Sequence, residues 1–121
     1  MNKLFLFTCI ALFGLLLSCT KVPNLTDFDS VAWKNDLNGC NGERLKLAEI
    51  LEDQRHELKM IEAPELKKIL GPPNAIQIME RQQRYYIYWI HNPAKCQDSK
   101  SSYKEVRIRV SALGKVTEVL F

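Results

Sequence analysis

The sequence has little of what most enzymes need. Only two histidines occur, His56 and His91, and neither stands at a ligand spacing from a cysteine. There is no Cys-x-x-Cys pair, nucleophile elbow, phosphate-binding glycine loop or dinucleotide fingerprint. Internal repeats and low-complexity segments are also missing. The charge is nearly balanced, with 17 Lys plus Arg against 14 Asp plus Glu and no basic cluster. That argues against nucleic acid as a partner. At 121 residues the chain is too short for a doubly wound nucleotide-binding enzyme or a βα barrel. What remains, 46% hydrophobic and 26% charged residues, fits one folded globular domain.

The longest apolar run is also short. After Lys3, Leu4–Leu17 is apolar apart from Thr8, with Gly14 the only break. As a helix it would rise about 21 Å, against a bilayer core of roughly 30 Å. A positive start followed by a short apolar stretch suits a secretory signal peptide better than a membrane span. The segment ends Leu16-Leu17-Ser18-Cys19, which resembles a bacterial lipobox. That resemblance implies cleavage after Ser18 and acylation of Cys19 with diacylglycerol and a further chain such as palmitate. Two or three acyl chains hold a protein firmly, whereas one is marginal. The plainer alternative is an ordinary signal peptide that ends near a cysteine. Thr20, not Asp, follows Cys19, and no acidic run lies in Thr20–Asn24. The expected site is therefore the periplasmic side of the outer membrane, with the inner membrane as the alternative.

On this reading 1–18 is a lipoprotein signal peptide, 19–26 a lipidated tether and 27–121 a single domain. The mature chain has 121 − 18 = 103 residues, and losing Lys3 leaves a net charge of 16 − 14 = +2. Cys9 is discarded with the leader and Cys19 carries lipid, so Cys40 and Cys96 are left in an oxidising compartment. A structural disulfide between them is the leading expectation. Intermolecular pairing, free thiols and a reactive site are the alternatives.

Patterning predicts helices first and strands after. Asp27 to Asn38 holds Phe28, Val31, Ala32, Trp33 and Leu37, with Asp29 or Ser30 as cap and Asn38-Gly39 as stop. From Glu43 to about Lys59, Leu47, Ala48, Leu51 and Leu58 share a stripe that Ile61 continues. Glu49, Glu52, Asp53, Arg55 and Lys59 make the solvated side. Pro64 and Glu65 suit the first turn of a third helix, which Gly71-Pro72-Pro73 ends. Strands are predicted over Ala75–Glu80, Arg84–His91, Tyr103–Ser111 and Val116–Phe121. The second is apolar on both faces and should be central. The expected fold class is α+β, with two or three N-terminal helices packed on a three- or four-stranded antiparallel sheet.

Three stretches carry a family resemblance: Ala63-Pro64-Glu65-Leu66-Lys67-Lys68-Ile69-Leu70-Gly71-Pro72-Pro73-Asn74, Tyr86-Ile87-Tyr88-Trp89 and Gly114-Lys115-Val116. Together they resemble the BamE/SmpA/OmlA group of small bacterial lipoproteins, over roughly Glu62 to Phe121. The resemblance implies two helices on a three-stranded antiparallel sheet, as in β-lactamase-inhibitor-like domains, and an accessory role in outer-membrane assembly or envelope maintenance. The chain departs from the group's usual Gly-Met-Ser/Thr entry, having Lys59-Met60-Ile61-Glu62, and Phe28 through Trp33, Cys40 and Arg44 lie outside the pattern.

No residue set predicts catalysis. His56 belongs to the polar side of a helix, and His91 ends a strand. Glu49, Glu52, Asp53 and Glu57 have no implied opposing acid or base. The chain is read as a non-enzyme without cofactor or metal. The functional lead is aromatic. If helices cover one face of the sheet, Tyr85 and Trp89 stay open beside Arg107 and Arg109, a composition suited to binding protein. Core packing of these aromatics and a solvated role for the arginines are the bland alternatives. Trp33 is expected to pack the first helix onto the domain, and Arg44 to meet an acidic residue or a carbonyl. The expected function is protein binding in the envelope, with an inhibitory or binding module for a periplasmic enzyme as the alternative.

Overall fold

Capping and breaking residues set the elements in chain order. The computed structural model describes residues 22–121. The expected leader, Cys19 and the start of the tether lie outside the described residues. Helices α1 (Ser30–Asn35), α2 (Glu43–Asp53) and α3 (Ala63–Leu70) come first, with a 3-10 turn at Arg55–Leu58. Strands β1 (Ala75–Ile78), β2 (Arg84–His91), β3 (Lys104–Val110) and β4 (Val116–Leu120) follow. A second 3-10 turn, Glu80–Gln82, joins β1 to β2, and a short helix α4 (Pro93–Cys96) lies between β2 and β3. The strands form one antiparallel sheet in the order β1-β2-β3-β4. This is the α+β class with four strands.

Two helices are shorter than their patterning suggests. Asp29 caps α1 by accepting the Ala32 N–H at 3.0 Å. The helix ends at Asn35, before Asn38-Gly39, because Asp36 turns its carboxylate to the next helix. There it accepts the N–H groups of Asn41 and Arg44, each at 3.0 Å. Gly42, the residue before α2, has φ 78° and offers no side-chain cap, so Asp36 supplies one from outside. The stripe expected to run to Lys59 leaves α-geometry at Gln54. The Gln54 amide exchanges two 2.7 Å hydrogen bonds with the backbone of Thr26. The 3-10 turn that follows still buries Leu58 fully and swings the chain toward β4. Met60 N–H then donates to Val116 O at 2.8 Å, and Val116 N–H to Ile61 O at 2.9 Å.

The core lies between the helices and one sheet face. Tyr86, Tyr88, Ile90, Val106, Ile108, Val110, Val116 and Val119 meet Trp33, Leu47, Leu51, Leu58, Leu66 and Leu70. The buried Tyr88 hydroxyl donates to Gly71 O at 2.9 Å, where α3 stops. Burial, then the neighbouring Tyr86, pushes the Tyr88 phenol above its ordinary range. Strand β1 is shorter than expected, and its isoleucines sit outside the core. Ile76 is 49% and Ile78 79% exposed, because the helices do not reach over this edge.

Arg44, 1% exposed, is the largest charge in the interior. Its Nε donates to Trp33 O at 2.9 Å, and its Nη1 to Asn74 Oδ1 at 2.8 Å and Trp89 O at 2.9 Å. The guanidinium also lies 4.8 Å from the Trp33 ring centroid. Desolvation lowers its pKa, and Asp36 acts in the opposite sense. One side chain therefore ties together α1, α2, the entry to β1, and β2.

Cys40 and Cys96 are joined by a disulfide across a sequence separation of 56. The bond fastens the α1–α2 loop to α4, and the backbones pack closely beside it. A Cβ on Gly39 would stand 1.9 Å from Ile90 O. Asn92 N–H donates to Asn38 O at 3.0 Å.

Two measurements test these anchors. Arg44→Leu should lower the unfolding free energy by about 3–5 kcal/mol in urea titration, since it takes the side-chain donors from Trp33 O, Trp89 O and Asn74 Oδ1 and the cation from beside the buried Asp36. Reducing the disulfide should cost roughly 4 kcal/mol on the chain-entropy estimate. Alkylation of the unreduced protein should leave Cys40 and Cys96 unlabelled in a peptide mass map.

Candidate binding face

Strand periodicity divides β2 and β3 between two surfaces. Tyr86, Tyr88 and Ile90 go to the core, as do Val106, Ile108 and Val110. Tyr85, Ile87 and Trp89, with Glu105, Arg107 and Arg109, occupy the other face and are half-buried. The helices pack on the core side, so among the described residues this second face is open. The four residues expected at a binding surface, Tyr85, Trp89, Arg107 and Arg109, stand together on it.

Register determines who meets whom. Tyr85 lies between Gln77 on β1 and Arg109 on β3, and Ile87 between Ala75 and Arg107. The Arg107 guanidinium stacks on Tyr85, 4.6 Å from the ring centroid. Its Nη2 donates to Gln77 Oε1, and its Nε lies 3.7 Å from Glu105. Arg109 Nε donates to Gln83 Oε1 at 2.7 Å, and its Nη1 lies 3.9 Å from Glu118. Both arginines are thus held upright by neutral amides and loosely matched by carboxylates. They keep donor capacity for a planar acceptor such as a carboxylate.

Trp89 is the best-anchored aromatic. Strand β1 starts opposite Ile87, so the backbone of Trp89 has no strand beside it there. Asn74 Oδ1 accepts the Trp89 N–H at 2.8 Å, and Arg44 donates to its carbonyl. Asn74 also donates through Nδ2 to Leu37 O at 2.9 Å. Sequence reasoning missed Asn74. The available signal was an Asn between Pro73 and a strand, a position where a side-chain amide can stand in for backbone.

At one end of the face, Tyr103 O–H donates to Glu105 Oε2. Desolvation and then this carboxylate push the Tyr103 phenol up to about 12, while Trp89 and Arg107 act in the opposite sense. Tyr103 also borders a groove of about 570 Å³ between α2 and β3, floored by Leu45, Ala48, Ile90 and Phe121 with Glu49 and Glu52 on its rim.

The histidines stand elsewhere. His56 is exposed, 3.2 Å from Glu57. His91 does not cap a sheet edge, because β2 is an inner strand. Its Nδ1 lies 3.1 Å from Gly39 O and its Nε2 3.5 Å from Asp98, beside the disulfide-bonded loop. Hydrogen bonds from the Ser101 hydroxyl and the Lys100 backbone hold the Asp98 carboxyl below its usual range. Among the described residues no three His, Cys, Asp or Glu side chains are placed to hold a metal ion. No helix among them is long and apolar enough to cross a membrane. No family model, curated protein or solved structure matches this chain.

The Tyr103–Glu105 pair yields a pH prediction. A phenol whose folded pKa is raised adds stability that is fully present below its unfolded value near 10. That stability is lost as pH rises from there through about 12. In a tyrosinate absorbance titration of the folded protein, the Tyr103 step should fall near 12. Glu105→Gln should move the Tyr103 step back toward 10.

Proposed function

We propose that this chain is a lipid-anchored envelope protein that binds a protein partner through the open face of its sheet. The observation that carries the reading is the row Tyr85, Ile87 and Trp89 flanked by Arg107 and Arg109, with no helix of the described residues over it. Aromatic and arginine side chains dominate the energetics of protein interfaces. Here they are held in place before binding by Gln77, Gln83, Asn74 and Arg44. Such preorganisation lowers the entropy cost of association.

The anchor and the location rest on the leader and on Cys19. If Cys19 is acylated, only Thr20 and Lys21 separate it from Val22, which packs against the core. The domain then works close to the lipid surface. An accessory role in outer-membrane assembly or maintenance rests on the resemblance to the BamE/SmpA/OmlA group. The fold is α+β, the class that resemblance implies, with four strands here in place of three.

The test is in-cell photo-cross-linking from positions 85, 89 and 107 of the full chain, with the exposed turn residue Leu113 as control. Capture of an outer-membrane assembly protein from the three face positions, and not from position 113, is the expected outcome. Arg107→Glu should cut that capture about tenfold or more, the size of a single interface hot spot. A captured periplasmic hydrolase would point to an inhibitory module. Equal yield from all four positions would refute the face as the interface.

A further inference from the structure

We propose that β1 is a pairing edge for a second copy of this chain, joining two sheets antiparallel about a two-fold axis at Gln77.

Strand β1 lies at the end of the sheet order, and all four of its residues are exposed. Natural edge strands are blunted by lysines, prolines, bulges or covering segments. Ala75-Ile76-Gln77-Ile78 has no charge and no proline, and its register with β2 is unbroken. The opposite edge is handled differently. Met60 and Ile61 bond the start of β4 through Val116, and Glu62 bridges to Lys115. Among the described residues the chain therefore covers part of one edge and leaves the other bare.

Hydrogen-bond parity shows which groups are available. Met79 N–H donates to Gln83 O at 2.8 Å, in phase with the pairs Gln77–Tyr85 and Ala75–Ile87. In an antiparallel ladder, hydrogen-bonded pairs alternate with non-hydrogen-bonded ones. Gln77 and Met79 thus spend their backbone groups on β2, and just before the strand Asn74 N–H donates to Ile87 O at 2.8 Å. The N–H and C=O groups of Ile76 and Ile78 point out from the edge.

Those groups are self-complementary. With two copies antiparallel and Gln77 opposite Gln77, Ile76 of each faces Ile78 of the other. Each such pair exchanges two backbone hydrogen bonds. The side chains agree with the backbone. Ile76 and Ile78 project on the face of Tyr86, where they are 49% and 79% exposed, and pairing covers both. On the other face Ala75 meets Met79, itself 40% exposed. Beyond the strand Glu80 meets Asn74, so no like charges oppose. The two-fold axis runs perpendicular to the sheet, so the two aromatic faces look the same way. A four-residue edge gives a small interface, at the weak and transient end of the range.

The experiment uses Gln77→Cys in the full chain, oxidised mildly in its membranes and run on a non-reducing gel. Position 77 pairs with itself without hydrogen bonds, a spacing of about 4.5 Å between Cα atoms that a disulfide spans. Cys40 and Cys96 are already bonded to each other. Leu113→Cys, 88% exposed on the β3–β4 turn, reports random collision. The expected result is a homodimer band at least fivefold stronger for Gln77→Cys than for Leu113→Cys. Adding Ile78→Lys, which puts a charge into the isoleucine pair at an exposed site, should remove the excess while leaving the melting curve unchanged. Equal bands from the two cysteine variants, an excess that survives Ile78→Lys, or a disulfide to a different polypeptide would each overturn the proposal. The last outcome would give the edge to another protein's strand.

Discussion

A buried guanidinium holds this domain together. Removing a charge from water costs several kcal/mol unless it is fully engaged. Arg44 meets that cost with three directed hydrogen bonds, to Trp33 O, Asn74 Oδ1 and Trp89 O, and with the face of the Trp33 indole. Its acceptors come from three segments far apart in sequence. None of those segments is well placed without the others: α1 is six residues long, and β1 begins just after Asn74. Lysine could not substitute, because a single ammonium lacks the planar fork that reaches α1 and β2 at once.

The same anchor determines what the sheet shows to solvent. In a strand, a slip of one residue exchanges the two faces. For β2 that would send Tyr85, Ile87 and Trp89 inward and expose Tyr86, Tyr88 and Ile90. The Trp89 backbone is bonded on both its polar groups, by Asn74 and Arg44. The Tyr88 hydroxyl is fixed to Gly71 at the end of α3. Asn92, just past the strand, is tied to Asn38 beside the disulfide. Those constraints come from the helical half of the chain, and together they hold the aromatic row outward.

Local chemistry was legible in the sequence where a residue's neighbours in the chain decide its state. Pro64 and Gly71 bracket α3 as expected, and β2 has the predicted bounds Arg84–His91. The alternation of β3 puts Val106, Ile108 and Val110 inward as predicted. Prediction failed where a distant residue intervened. Asp36 ends α1 early to cap α2, and Gln54 breaks the long stripe to hold Thr26. Ile76 and Ile78 alternate like core residues, yet they lie beyond the reach of the helices. Periodicity reports that residues share a face and not whether anything covers it. Arg44 was expected to meet an acidic residue or a carbonyl, and it meets the Trp33 and Trp89 carbonyls, but no partner could be named because Trp33, Asn74 and Trp89 lie 11, 30 and 45 residues away.

The open face and the open edge are one connected surface, and Gln77 is the joint. It sits on the edge strand, yet its side chain accepts from Arg107 Nη2 on the face. Arg107 in turn covers the Tyr85 ring. A carboxylate arriving on the face competes with Gln77 for that donor, and a strand arriving at the edge fixes the backbone that carries Gln77. If both sites are occupied, the shared residue would link them, and linkage is reciprocal: whatever one occupant does to the other's affinity is returned in equal measure. The core needs none of this. Gln77 and Arg107 bury no large apolar area between them, and the interior is complete without the pair. Their contact is a property of the surface, holding Arg107 over the Tyr85 ring.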